Sequence, residues 1–177
     1  MMINQTMRRV AVLGGVRIPF CRSFTAYAEL SNLDMLQAAL GGLVERFSLH
    51  GAHIGEVVGG AVVTHAKDWN LAREAVIGSA LAPTTPAITM MQACGTSLQG
   101  ALQLGAKIAT GQIESGIALG SDTTSDAPIV FKRSFAQRLV QLSRAKSPGQ
   151  KLAVFKGFSP MELAPLPPST SEPRTGL

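Results

Sequence analysis

Cys94 stands between two small residues in TMMQACGTSLQGALQL (89–104), where an apolar run gives way to a helical pattern. A thiolate at the start of a helix faces unpaired backbone N–H groups and the positive end of the helix dipole, which favours the ionised nucleophile. The same amides suit the oxyanion that forms when a thioester carbonyl is attacked, and Gly95 leaves room for that substrate. Nucleophilic attack with a covalent intermediate is a chemistry open to such a residue. Taken alone, the window favours a thiol packed as a small hydrophobe, the commoner fate of a free cysteine, and only the wider sequence context reverses that weighing. Cys21 is the only other cysteine, and the pair has neither metal-site nor disulfide-framework spacing, so no metal and a reducing, cytoplasmic setting are expected. His50, His53 and His65 lie near turns and fit solvated or structural roles.

The elements that must position Cys94 alternate. Arg8 to Val16 is an apolar run closing on Gly14-Gly15-Val16, the pattern of a strand buried on both faces, and too short to cross a membrane. Ser31 to Asp34 resembles a capping box, and Leu33, Leu36, Leu40, Leu43 and Phe47 follow at helical spacing. Glu56 to Val63 predicts a second buried strand, and Asn70 caps a helix that runs through Ala80 toward Pro83. Pro86 to Met91 predicts a third strand. From Cys94 the residues Leu98, Ala101, Leu102, Gly105 and Ile108 form one helical stripe, and Glu114 to Gly120 supplies a fourth strand. The expected architecture is α/β, a β-α-β-α-β-α-β layered fold with a mostly parallel sheet, whose chemistry gathers at the carboxyl ends of the strands.

A net charge of +5 conceals an asymmetry. Residues 1–126 carry eight Lys/Arg against nine Asp/Glu, whereas 127–177 carry eight against two. The expected division is therefore a 1–126 α/β domain and a 127–177 segment. In the second, Phe131, Phe135, Leu139 and Leu142 mark a basic amphipathic helix, and Pro160 to Pro173 predicts an extended loop. Its aromatics share the apolar stripe and are not interleaved as a stacking platform, which argues against nucleic acid.

Four ordered segments resemble the thiolase family. GGVRIPF (14–20) is similar to the segment after that family's first strand, and NLAREAVIGSAL (70–81) to its Asn-Pro-Ala-Arg helix. QACGTSLQGAL (92–102) resembles the acyl-enzyme signature, and ALGSDTTSDAPIVF (118–131) the passage into the family's loop domain, with Asp122 in place of the usual Glu. SRAKSPGQ (143–150) resembles an AKSxGQ segment of thiolase subunits from fatty-acid β-oxidation complexes.

The resemblance implies that Cys94 attacks a 3-ketoacyl-CoA or acyl-CoA and becomes acylated, with coenzyme A as substrate and no further cofactor. It implies a homodimer or higher oligomer, a β-oxidation partner subunit, and contact of the basic segment with that partner or a membrane surface. The family's activating histidine and second cysteine sit in motifs this sequence does not contain, so the chain by itself is expected to lack thiolysis. Two rivals stand beside this reading: a decarboxylating ketoacyl-synthase-like enzyme with a similarly placed cysteine, and a non-catalytic assembly module.

Overall fold

Helix formation begins at Ser31, whose hydroxyl accepts the Asp34 amide while the Asp34 carboxylate accepts the Ser31 amide, a reciprocal cap that satisfies two otherwise orphaned donors. These bonds hold the Asp34 carboxyl below the usual carboxylate range, the Ser31 side-chain bond first and its backbone amide next. In the computed structural model, which describes residues 7–167 and 174–175, the resulting helix α1 is Asn32–Phe47. It is followed by β1 (Glu56–Gly59), α2 (Leu71–Ile77), β2 (Ala87–Thr89), α3 (Thr96–Ala109) and β3 (Gly116–Ala118). The chain divides into two compact units, Met1–Ala127 and Pro128–Leu177.

In the first unit the three strands form a parallel sheet in the order β2-β1-β3, with Val57 opposite both Ala87 and Ile117. Every residue of β1 is buried, as an interior parallel strand requires. Strand alternation sends Val57 and Val58 to opposite faces. Val57 joins Leu36, Leu40 and Val44 of α1 and Leu71, Ala75 and Val76 of α2 in one core, whereas Val58 meets Gly100 of α3. The sheet is therefore a middle layer, with α1 and α2 on one side and α3 on the other, the α/β arrangement expected. At the amino end of β1 the largely buried Glu56 receives both oxygens' worth of contact from Lys107 of α3, at 2.7 Å each.

Four expectations are corrected. Arg8 to Val16 is not a strand: Val12 and Leu13 are 93% and 84% exposed, and the run is tied down by an Arg8 amide bond to the Ala109 carbonyl and an Arg8–Glu114 ion pair. Apolarity says that a strand needs covering but not which edge it pairs with, and among the described residues the outer edges of β2 and β3 are both open. The run from Glu56 leaves the ladder at Gly59, because the amides of Val62 and Val63 turn to the Asp122 carboxylate at 2.8 and 3.0 Å. Helix α3 buries Thr96, Gly100 and Leu104, while Leu98 and Leu102 of the expected stripe are 67% and 60% exposed. Close seating on a sheet selects small residues for the inner face, so counting large apolar side chains identified the wrong side.

The fourth correction lies in the second unit, where Pro160 to Leu163 is a 3₁₀ turn and Pro165–Leu166 is strand β5, antiparallel to β4 (Val130–Phe131). The rest of that run, from residue 168 to Pro173, lies outside the described residues. Helices α4 (Arg133–Arg144) and α5 (Pro148–Val154) complete the unit. Arg138 is its centre: the guanidinium donates to Glu162 at 3.0 and 3.3 Å and to the carbonyls of Val154, Lys156 and Gly157. Phe135 packs between Phe131 and Phe158, at centroid distances of 5.3 and 6.1 Å. No helix among the described residues is long and apolar enough to cross a membrane.

Removing one member of a part-buried ion pair leaves the other largely buried and unpaired, so Lys107→Ala should destabilise the fold by about 2 kcal/mol. The double change Glu56→Gln with Lys107→Met should cost clearly less; urea unfolding measures both, and a loss below about 1 kcal/mol for the single variant would mean the pair behaves as a surface one. In the second unit, bonding to Arg138, then to Ser159 and Ser134, holds the Glu162 carboxyl below its ordinary value. A depressed folded-state value means the stabilisation is fully present above the unfolded value and disappears as pH falls through the folded one. The stability difference between wild type and Glu162→Gln should therefore shrink between about pH 7 and about pH 3, read by thermal melts.

Candidate active site at the start of helix α3

Between β2 and α3 the chain reverses within a few residues, and Cys94 occupies that turn, exposed and unpaired. Ala93 takes φ 45°, a left-handed conformation uncommon for a residue with a side chain. The turn holds it there through local bonds. The Gly95 amide donates to the Gln92 carbonyl at 2.9 Å, and the Thr96 amide to the Ala93 carbonyl at 3.3 Å. The Thr96 hydroxyl donates to the Ala93 carbonyl at 2.8 Å and accepts the Gln92 amide at 2.9 Å. Thr96 is buried, so these two bonds are made away from water. Gly95 is the N-cap of α3 without any side-chain cap, which leaves the first turn of the helix open beside the thiol.

The strand ends around this turn are tied together by side chains that spacing alone did not single out. Asn32, buried at the start of α1, donates to the Val63 carbonyl, and the Ser121 hydroxyl bonds both the carbonyl and the side-chain oxygen of Asn32. With Asp122 on Val62 and Val63, these bonds fasten the loop after β1 to the loop after β3. On the β2 side the Asn70 oxygen accepts from the Arg73 amide and from the Thr89 hydroxyl, at 3.1 and 2.6 Å. The Arg73 guanidinium caps the carbonyls of Thr85 and Pro83. The signal for Thr96 was a hydroxyl two positions after the cysteine at a helix start; for Asp122 and Asn32 the sequence holds none, because their partners are backbone groups about sixty and thirty residues away.

His50 and His65 each have a partner other than the residues of the Cys94 turn. His50 bonds Glu45 at the surface at 2.9 Å. The His65 ring nitrogen lies 2.7 Å from the Asp126 carbonyl and 3.2 Å from its carboxylate, so its bond goes to the carbonyl. Among the described residues no titratable side chain bonds the Cys94 thiol. The acidic group that touches a thiol-bearing residue is elsewhere: Tyr27 neighbours Cys21, and desolvation, with Cys21 contributing, pushes its hydroxyl above the ordinary value.

The family model described as "Thiolase, N-terminal domain" matches residues 10–153. The chain belongs to the thiolase family. Two relatives named 3-ketoacyl-CoA thiolase, from Shewanella halifaxensis (strain HAW-EB4) and Shewanella sp. (strain ANA-3), are 37% and 38% identical over 174 residues. Those alignments take in 98% of this chain and 40% of either relative, so the chain spans about two-fifths of the length of the curated relatives it matches. The acetyl-CoA acetyltransferase of Bacillus anthracis, a solved structure, shares the fold at a TM-score of 0.68 and 22% identity, over 73% of this chain and 33% of that one. In this thiolase chain the Asn70-to-Arg73 segment serves as a structural clamp on β2, and Ser147 with Gln150 forms the capping box of α5.

If the Thr96 hydroxyl holds the turn, Thr96→Val should slow alkylation of Cys94 by about twofold to fivefold, as its alignment with the helix end loosens. Peptide-resolved mass spectrometry after timed iodoacetamide treatment measures this, with exposed Cys21 as internal reference. Equal slowing at both cysteines, or none, would dissociate Thr96 from the turn.

Proposed function

We propose that Cys94 is the acyl-accepting nucleophile of a thiolase-type acyl-CoA acyltransferase. The supporting observation is the exposed thiol on a strained turn at an uncapped helix start, in a chain of the thiolase family. In degradation the Cys94 sulfur attacks the C3 carbonyl of a 3-ketoacyl-CoA; the C2–C3 bond breaks and its electron pair, with one proton, leaves as acetyl-CoA. The shortened acyl group stays on sulfur. Coenzyme A then attacks that thioester, gives up its thiol proton, and departs as acyl-CoA with the Cys94 thiolate restored. The reverse direction is the Claisen condensation of acetyl-CoA with an acyl-enzyme.

Splitting carbon–carbon exchange into two thioester steps is what a covalent intermediate achieves. Helix amides near Cys94 would receive the developing oxyanion. Proton transfer needs groups for which this chain has no motif, so it supplies the covalent half of the site. A place in fatty-acid β-oxidation, with a partner subunit, rests on the likeness of the segment at 143–150 to such thiolase subunits, and an oligomeric assembly and a cytoplasmic setting belong to the same reading. The positive charge of the second unit suits contact with such a partner or with an anionic lipid surface.

Incubated with acetyl-CoA, the chain should take up a single acetyl group on Cys94 by thioester exchange, and it should show no sustained turnover of acetoacetyl-CoA. Cys94→Ala should take up none. Intact-mass and peptide mass spectrometry decide the matter; continuous turnover, or labelling of Cys21 to the same extent as Cys94, would overturn the assignment.

A further inference from the structure

Beyond Gly59, where β1 ends, residues 60–65 form neither helix nor strand, yet they supply one wall of a cavity of about 560 Å³ in the first unit. Ala61, Val63 and Thr64 line it on that side, and Met90 and Met91, which lead into the Cys94 turn, line it on another. The two walls come close together at their base. A Cβ on Gly60 would stand 3.3 Å from the Thr96 methyl and would collide with the Met90 carbonyl, and the Met90 amide donates to the Gly59 carbonyl at 2.9 Å. Clefts at the carboxyl ends of parallel strands are where substrates bind.

A backbone stretch that belongs to no ladder or helix needs other partners for its polar groups. Side chains from two distant parts of the chain supply them. The Asp122 carboxylate accepts the Val62 amide at 2.8 Å on one oxygen and the Val63 amide at 3.0 Å on the other. Asn32, 3% exposed, donates its side-chain amide to the Val63 carbonyl at 2.6 Å, and the Ser121 amide donates to the Gly60 carbonyl at 3.2 Å. Bonds to a carboxylate are roughly twice as strong as neutral ones, so Asp122 is the firmest of these fastenings. An asparagine in its place would offer one acceptor oxygen instead of two, and one of the two amides would lose its partner.

We propose that Asp122 is a positioning residue for the acyl thioester that Cys94 attacks: by fixing the backbone at 62 and 63 it holds the cleft wall against which that substrate rests. The inference rests on Cys94 as the acyl acceptor and divides the work between two places. The turn at 92–96 holds the sulfur, and Asp122 governs how well a substrate is bound beside it. Loosening the wall therefore weakens saturation by a large thioester and leaves reaction of the thiol with a small reagent as it was.

The rate of acetyl uptake on Cys94, followed by intact mass at increasing acetyl-CoA, should reach half its limit at a concentration about threefold to tenfold higher in Asp122→Asn, with the limiting rate within about twofold of wild type. Iodoacetamide alkylation of Cys94 should proceed equally in both. An unchanged half-saturating concentration in Asp122→Asn, or an equal loss in the alkylation rate, would overturn the proposal. A wild-type chain that takes up no acetyl group would instead refute the acyl-acceptor assignment, and this inference with it. Should Asp122→Asn fail to fold, hydrogen exchange decides: in the Cys94→Ala chain the Val62 and Val63 amides should exchange more slowly with acetyl-CoA present, and equal rates with and without it would remove Asp122 from the substrate's path.

Discussion

Helix α3 lies so near β1 and β3 that several positions along the contact have no room for a side chain. A Cβ at Gly100 would come 3.3 Å from Val58, one at Gly116 2.8 Å from Leu104, and one at Gly120 2.9 Å from Ser97. Each of the last two is closer than real Cβ contacts permit; enlarging Gly116 displaces the Leu104 side chain, and enlarging Gly120 meets the Cβ of Ser97 on the helix itself. The helix start carries Thr96, and Thr96 carries the turn that holds Cys94. The position of the thiol is thus set by how closely a helix can approach a strand, before any residue that would activate it is considered. Gly60, whose Cβ would collide with the Met90 carbonyl, extends the same constraint to the strand end beside the turn.

That constraint explains what was legible in the sequence and what was not. Local rules that act over three or four residues were read directly. Ser31 with Asp34 gave the start of α1, Asn70 gave the start of α2, and the unbroken apolarity around Val57 and Val58 gave the interior strand. The face of α3 was misread because apolar size ordinarily marks the inward side, whereas at this contact Gly100 is inward and Leu98 and Leu102 are outward. The first apolar run failed for a different reason: strand pairing is a non-local choice, and Val12 and Leu13 contain nothing that names a partner. Asp122 and Asn32 were invisible as clamps because backbone amides and carbonyls, which every residue has, are their partners.

The basic second unit shows how charge counts mislead when read as surface. Seven Lys/Arg and no acid between residues 128 and 158 suggest an anionic partner. Yet Arg138 is consumed inside the unit, where one planar guanidinium satisfies a carboxylate and three carbonyls at the end of α5 and beyond it. A lysine, with a single nitrogen, cannot span those acceptors. The remaining cations are free to face outward, and the Phe135 contacts with Phe131 and Phe158 supply the apolar side of α4 that its periodicity announced.

At Cys94 the two kinds of information separate. The turn is built from Gln92, Ala93, Gly95 and Thr96, four residues contiguous with the thiol, and from a helix whose seat is fixed by glycines. Its geometry is therefore specified by short-range bonds and one packing contact, and it needs no acid or base to exist. A thiol placed this way is recognisable in sequence, because the residues that hold it are its neighbours in the chain. That placement has a thermodynamic reason. The strain at Ala93 is offset locally by the two Thr96 hydroxyl bonds, so the exposed thiol is held in its place by the turn itself and not by distant parts of the fold.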